Sequence, residues 1–162
     1  MKLASAVAAL AALAACASAG TPAPRPDAAP SVEPAAGEGA AMERLQPPAI
    51  EGATIRVTAA DAGKTIAAPV GATFSVALVG VPTAGYLWTA TETPDFLVKV
   101  GESGGPTSAA QLQPGFAGGN HWEVTAFRAV KAGRGVLRFA QGRPWETNQP
   151  PVDTFSVTIE AR

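Results

Sequence analysis

Few side chains in this chain could carry out chemistry. The 162 residues include one histidine, His121, and one cysteine, Cys16. A zinc site built from several cysteines and histidines is therefore excluded, as is a disulfide within the chain. A hydrolase would have to use His121 or carboxylates such as Glu92 and Asp95 as its general base, and no serine–histidine–acid spacing in the sequence indicates a catalytic triad. We therefore predict no enzyme activity, no metal and no cofactor.

Charge and composition narrow the classes of partner. The chain has 12 basic and 13 acidic residues, and its formal net charge is −1. A nucleic-acid-binding domain would need a basic surface, so we expect no nucleic-acid partner. Aromatic residues make up only 6% of the chain, which argues against the large core of an enzyme.

Three glycine- and proline-rich loops carry the residues best suited to bind a partner. The first loop (residues 81–86) holds a proline and a glycine that predict a sharp turn with Thr83 at its exposed tip. The second loop (residues 114–122) has paired glycines, which let a partner approach the backbone closely. The third loop (residues 142–146) carries Trp145, whose large aromatic side chain either folds back onto the domain or is exposed to bind a partner.

Short strands are predicted to position these loops. From residue 53 onward, apolar residues alternate with polar ones, most clearly over residues 155–160. The same alternation places Trp88 in the core and predicts one buried face from Phe96, Val98 and Val100. The phase changes within residues 121–130, which predicts either a bulge or burial on both faces. About seven strands separated by glycine and proline turns predict an all-β, immunoglobulin-like antiparallel β-sandwich over residues 51–162.

The N-terminal third is predicted to consist of a targeting signal and a tether. Residues 1–15 have a positive start and an apolar stretch of signal-peptide length. Residues 13–16, Leu-Ala-Ala-Cys, resemble the lipobox of bacterial lipoproteins, in which the cysteine is acylated and becomes the new N-terminus. This resemblance implies a lipid anchor at Cys16, with the outer membrane as the expected destination. Residues 16–50 are rich in proline and alanine and are predicted to be a disordered tether.

The three loops, in this order between strands, together resemble the chagasin family of cysteine-protease inhibitors. In that family the first loop reads Asn-Pro-Thr-Thr-Gly, followed by an aromatic residue and a tryptophan. The second loop contains Gly-Gly, and the third reads Arg-Pro-Trp. The matching residues here are Pro82, Thr83, Gly85, Tyr86, Trp88, Gly118, Gly119, Arg143, Pro144 and Trp145. The resemblance covers residues 53–162.

The chain departs from the family pattern at several positions. Val81 replaces the family's asparagine, and Ala84 replaces its second threonine. His121 stands where the second loop would have a further glycine, and Thr125 stands where an aromatic residue would close the motif, with Trp122 nearby. These changes bear on potency and target range rather than on the fold.

The resemblance implies reversible inhibition of a papain-like cysteine protease. The first loop would enter the active-site cleft, with Thr83 near the catalytic cysteine, and the other two loops would grip the cleft on either side. Trp145 would be the aromatic anchor, since tryptophan and arginine are enriched among binding hot spots. The implied protease-binding residues are Pro82, Thr83, Ala84, Gly85, Tyr86, Gly118, Gly119, Arg143, Pro144 and Trp145.

Two other classes of protein stay open on the sequence. One is a surface-anchored adhesion or binding module that uses the same exposed Trp145 and the lipid tether. The other is a structural lipoprotein whose inhibitor site has decayed, which Val81 and Ala84 would allow. The sequence predicts no particular oligomeric state.

Overall fold

The computed structural model describes residues 44–162. The predicted signal peptide, Cys16 and the tether as far as residue 43 lie outside the described residues. In the described part, eight strands form two four-stranded sheets, and no helix there is long and apolar enough to cross a membrane. The strands are β1 (Ala53–Thr58), β2 (Thr65–Ala68), β3 (Thr73–Gly80), β4 (Leu87–Glu92), β5 (Leu97–Pro106), β6 (His121–Ala129), β7 (Gly133–Gly142) and β8 (Asp153–Ala161). Short 3-10 helices occupy Ala59–Asp61, Pro82–Ala84 and Ala109–Leu112.

The predicted β-sandwich is confirmed, with one strand more than expected. The first sheet has the order β1-β3-β6-β5 and the second has the order β2-β8-β7-β4. The additional strand is β2, which has four residues and is too short for an alternating pattern to stand out. β1 and β2 pair in parallel with β3 and β8, whereas the other pairs are antiparallel as predicted. The chain crosses between the sheets from β1 to β2, so neither strand is joined by a tight turn to the strand it pairs with.

Four phenylalanines join the two sheets through the core. Phe74 and Phe127 of the first sheet stack with ring centroids 5.8 Å apart, and Phe139 and Phe155 of the second sheet lie 6.3 Å apart. Phe127 meets Phe139 across the sheets at 6.1 Å in an edge-to-face arrangement. Such aromatic pairs add about 0.5–1.5 kcal/mol each beyond the area they bury.

The structure corrects the predicted buried face of β5. Phe96 and Leu97 are both buried, whereas Val98 and Val100 are 48% and 44% exposed. The register of β5 against β6 shifts between Lys99 and Gly101, so Val100 is the extra residue of a bulge. Val98 pairs with Arg128, an exposed residue on the outer face, and it therefore faces outward as well.

Burial on both faces explains the phase change in β6. Phe127 faces the core, while Val124 and Ala126 are buried on the outer face of the same sheet. The register of β6 with β3 is unbroken over its whole length, so β6 itself has no bulge.

Residues 44–52, which we call the strap, lie on part of the outer face of the first sheet, over β5 and the start of β6. It follows β5 in the opposite direction, from an isolated antiparallel bridge between Arg44 and Ser108 to the turn that enters β1. Pro47 in the strap is buried. The sequence predicts a disordered tether for residues 44–50, because prolines and few buriable side chains are typical of a linker, but these residues pack on the sheet.

Candidate functional site

The strand pairing brings the three predicted loops to one end of the sandwich. β3 ends at Gly80, directly before the first loop, and Gly80 pairs with His121, where β6 begins after the second loop. On the other side, Leu87 follows the first loop and pairs with Gly142, the last residue of β7. The second loop therefore spans residues 108–120, between Thr107 and His121, and the third loop continues from residue 143 to residue 152. The first loop lies between the other two.

The first loop is closed by backbone hydrogen bonds. The N–H of Val81 donates to the carbonyl of Tyr86, and the N–H of Tyr86 donates to the carbonyl of Val81, both with N···O distances of 3.2 Å. Between them the chain forms the 3-10 turn Pro82–Ala84, and Gly85 follows with a φ of +83°. Thr83 and Ala84 are exposed at the tip, as predicted. Because Val81 uses only backbone groups in this bridge, the loss of the family's asparagine leaves the closure intact.

Arg143 binds the third loop to the first. Its Nε donates to the carbonyl of Ala84 at 2.9 Å, and its guanidinium lies over the Tyr86 ring, 4.5 Å from the centroid. Glu146 accepts from Arg143 Nη1 at 3.0 Å and holds the pKa of that guanidinium above its ordinary value. The arginine of the predicted Arg-Pro-Trp motif therefore supports the tip of the first loop.

Trp145 is seated on the glycine of the first loop and remains open to solvent. It is 67% exposed, the largest exposure of any tryptophan or phenylalanine in the described chain. A Cβ placed on Gly85 would overlap its six-membered ring, so the absence of a side chain at Gly85 makes room for the indole. Pro144 beside it is exposed too. The structure thus brings together all the predicted residues of the first and third loops.

The second loop is held at its base by Gln111, which the sequence analysis did not single out. Gln111 Oε1 accepts from the N–H groups of Thr107 and Ser108 at 2.7 and 3.0 Å, and Gln111 Nε2 donates to the carbonyl of Asn120 at 2.8 Å. One side chain therefore connects both ends of the loop. The Ser-x-x-Gln spacing of a capping box at residues 108–111 is the sequence signal that could have found it.

Glycines and exposed apolar groups form the outer part of the second loop. Gly118 and Gly119 have φ values of +84° and +90°, which other residues adopt at a cost. Leu112 and Phe116 are 65% and 47% exposed. The predicted paired glycines thus shape the loop, while its apolar surface comes from two residues that the sequence analysis passed over.

Glu123 lies beneath the first loop, in another role that sequence reasoning missed. Its Oε2 accepts from the backbone N–H of Trp88 at 2.9 Å, and a Cβ on Gly80 would overlap its carboxylate. The carboxylate thus links β6 to the strands on both sides of the loop. Its Oε1 is buried and has no hydrogen-bond partner among residues 44–162. Burial raises the pKa of Glu123 above its ordinary value, and the nearby Glu102 raises it further.

Trp88 supports the same region from the core side, as predicted. It is half-buried and packs against the hydrophobic core, and its Nε1 donates to the carbonyl of Val79 at 2.9 Å. It therefore fixes the start of β4 against the end of β3, rather than presenting a ring to a partner.

The residues that a hydrolase would need lie apart. His121 is at the loop end of the sandwich, and its Nδ1 is 3.4 Å from the carbonyl of Gly119. Glu92 is at the far end of β4, 2.7 Å from Arg138, and the exposed Asp95 pairs with Lys131 at 2.7 Å. Among the described residues, no three side chains of histidine, cysteine, aspartate or glutamate cluster as metal ligands would.

Comparison with known proteins defines the class to which this sandwich belongs. A sequence model described as chagasin family peptidase inhibitor I42 matches residues 67–159, more than half of the chain. The chain therefore belongs to the chagasin family of peptidase inhibitors. A search of curated protein sequences gave no significant match.

Two solved structures show the same fold at low sequence identity, and a third aligns less well. The cysteine protease inhibitor EhICP2 from Entamoeba histolytica aligns with a TM-score of 0.57 and 17% identity, over 67% of this chain and 95% of that one. Amebosin aligns with a TM-score of 0.52 and 23% identity, over 67% of this chain and 97% of that one. The structure of PbICP-C in complex with falcipain-2 gives a TM-score of 0.41 and 18% identity, over 71% of this chain and 95% of that one.

Proposed function

We propose that this protein is a reversible inhibitor of papain-like cysteine proteases, and that its three loops together block the active-site cleft. The observation that carries the proposal is the placement of a closed first loop, with an exposed tip, between two loops that present apolar side chains. Membership of a peptidase-inhibitor family supports the same conclusion.

The conformation of the first loop suits an inhibitor better than a substrate. The mutual hydrogen bonds of Val81 and Tyr86 and the 3-10 turn between them keep Thr83 and Ala84 out of the extended conformation that protease substrates adopt. The loop is already ordered in the free protein, so it loses little conformational entropy on docking. Thr83 would reach the catalytic cysteine without aligning a peptide bond for attack.

The flanking loops would supply most of the apolar contact. Trp145 lies on one side of the first loop, and Leu112 and Phe116 belong to the loop on the other side, all well exposed. An interface of ordinary size buries about 800 Å² on each partner, which three loops at one end of a small sandwich can provide. We expect the indole of Trp145 to be the largest single contributor.

An inhibition titration tests this proposal. The full chain, carrying Cys16→Ser so that no lipid is attached, is titrated against papain with a chromogenic peptide substrate. We expect reversible inhibition at equal stoichiometry. Trp145→Ala should weaken it by about 2 kcal/mol, roughly thirtyfold, because a hot-spot indole is lost. Val152→Ala, an exposed apolar truncation in the same loop, is the matched control and should change inhibition little.

Full papain activity at micromolar concentrations of the chain would contradict the proposal. If the chain then bound a non-protease protein or glycan through Trp145, the adhesion module would be the better reading.

We also propose that the inhibitor is attached to the bacterial envelope through Cys16, with the outer membrane as its destination. The support is the lipobox-like sequence at residues 13–16, followed by Ala17 and Ser18 rather than an aspartate. Several acyl chains on one cysteine would anchor the protein durably. Labelling with a radioactive fatty acid checks this: the wild-type chain should sediment with the envelope and carry the label, and the Cys16→Ser chain should carry none.

A further inference from the structure

The strap lies outside the part of the chain that the chagasin-family model matches, and its contacts lead to the second loop. We propose that the strap is a positioning element of the inhibitor site, which holds the second loop in its binding conformation. This inference rests on the proposed function, since it assigns the strap a role in the same site.

Two hydrogen bonds attach the strap to the sheet at the base of the second loop. The backbone N–H of Leu45 donates to the carbonyl of Thr107 at 3.0 Å. The indole Nε1 of Trp122 donates to the carbonyl of Leu45 at 2.9 Å. Thr107 and Trp122 stand just outside the two ends of the loop, so a single strap residue contacts both of its stems.

From Thr107 the connection continues into the loop. Thr107 Oγ1 donates to the carbonyl of Asn120 at 3.0 Å, and the N–H of Thr107 donates to Gln111 Oε1 at 2.7 Å. Gln111 in turn donates to the carbonyl of Asn120 and lies against Gly119. Fixing Thr107 from the strap side therefore constrains both ends of the segment that carries Phe116.

The sheet beneath the strap is shaped to receive it. Gly101 and Gly105 of β5 lie under Ile50 and Pro48, where a Cβ would be 3.6 Å from Ile50 Cγ2 and 3.0 Å from Pro48 Cγ. Their cross-strand partners are Ala126 and Trp122. The two glycines let the strap lie close to the backbone of β5, and Pro47 of the strap is buried.

The second loop has a particular need for such a support. Three of its glycines, Gly115, Gly118 and Gly119, have positive φ values, and glycine has the largest conformational freedom to lose on ordering. The affinity for a protease therefore depends on how much of this conformational entropy the second loop has already lost in the free inhibitor. The tip of the first loop has its own hydrogen bonds and the support of Arg143, so it does not depend on the strap.

The experiment combines hydrogen–deuterium exchange with inhibition of papain, on full chains that carry Cys16→Ser. Trp122→Phe keeps an aromatic ring and removes the donor to Leu45. Gly105→Ala brings a methyl group too close to Pro48, while Gly101→Ala adds the same methyl group at an ordinary contact distance and serves as its matched control.

We expect Trp122→Phe to speed exchange in peptides from residues 113–120 and to weaken papain inhibition about fivefold, the change that one neutral hydrogen bond supports. Gly105→Ala should act in the same direction and Gly101→Ala should not. Exchange in residues 81–86 should stay as in the parent chain, whereas a merely structural strap would speed exchange throughout the domain.

Unchanged exchange in residues 113–120 in both Trp122→Phe and Gly105→Ala overturns the proposal, as does faster exchange there with unchanged inhibition. If the parent chain fails to inhibit papain, the proposed function fails, while the exchange data still decide whether the strap orders the loop.

Discussion

At the scale of single residues, the site depends on a few side chains that support the exposed ones. The indole of Trp145 can stand out from the domain because Gly85 beneath it has no side chain. Arg143 donates to the carbonyl of Ala84 and covers the Tyr86 ring. Glu123 accepts a hydrogen bond from the backbone N–H of Trp88 in β4. Together these contacts fix the backbone at the tip, through Ala84, and next to it, through Trp88.

Gly85 provides a direct test of the seat under Trp145. We expect Gly85→Ala to lower the free energy of unfolding by about 1 kcal/mol, because its φ of +83° is unfavourable for alanine. It should also weaken papain inhibition by about tenfold or more, because the new methyl group displaces the indole. Chemical denaturation and inhibition titration measure the two effects.

Gly71→Ala is the matched control for that variant. Gly71 has a φ of +89° and open space where a Cβ would lie, at the other end of the sandwich. It should lose similar stability and inhibit papain normally. Equal inhibition by both variants would show that the indole does not depend on its glycine seat.

Glu123 predicts a pH dependence of stability. Its folded pKa is raised by burial, so the folded state holds the proton more tightly than the unfolded chain does. The free energy of unfolding should therefore fall as the pH rises from the ordinary glutamate pKa through the raised pKa. Above the raised pKa the loss of stability is complete.

Glu123→Gln should remove this slope and raise the free energy of unfolding at pH 7 by about 1 kcal/mol. A neutral amide is cheaper to bury than a carboxylate with an unpaired oxygen, and partial solvent access keeps the gain small. Urea denaturation between pH 4 and pH 8 measures it, with Glu92→Gln, at an exposed surface ion pair, as control. A Glu123→Gln chain that keeps the wild-type slope would contradict the assignment.

At the scale of elements, the strand register explains why three loops distant in sequence share one end. β3 and β6 meet at Gly80 and His121, and β4 and β7 meet at Leu87 and Gly142, so each loop begins or ends next to another. The backbone bridge then closes the first loop regardless of side chains. The residues Val81 and Ala84 are therefore compatible with a closed first loop.

Much of this arrangement could be predicted from the sequence, because glycine and proline act locally. The turn before Tyr86, the exposed Trp145 and the alternation in β8 depend on a residue and its near neighbours. The phase change in β6 was also visible in the sequence, but its two explanations, a bulge or burial on both faces, were separated only by the unbroken register with β3 and the burial of Val124, Ala126 and Phe127.

The parts that could not be predicted depend on distant contacts. The alternation of buried and exposed residues in β5 is set by a bulge against β6. The strap has the composition of a linker, and only the fold shows that it lies over Gly101 and Gly105 of β5. Gln111 and Glu123 are polar residues of ordinary appearance, and only the fold places them beneath the loops.

At the scale of the whole molecule, the chain combines a family domain with an added N-terminal support. The family match begins at residue 67, whereas the described residues from 44 onward already lie on the sandwich. The support contacts the same end of the sandwich as the loops do. A functional fragment should therefore include the strap and not begin at residue 51.

The most direct test of the central claim is whether the protein shields the catalytic cysteine of papain. Papain is treated with iodoacetamide at increasing ratios of the full Cys16→Ser chain, and alkylation of its catalytic cysteine is followed by mass spectrometry. We predict complete protection near an equal molar ratio of the chain to papain. The Trp145→Ala chain should reach the same protection only at higher ratios. Alkylation at the unprotected rate, with the protein present in excess, would contradict it.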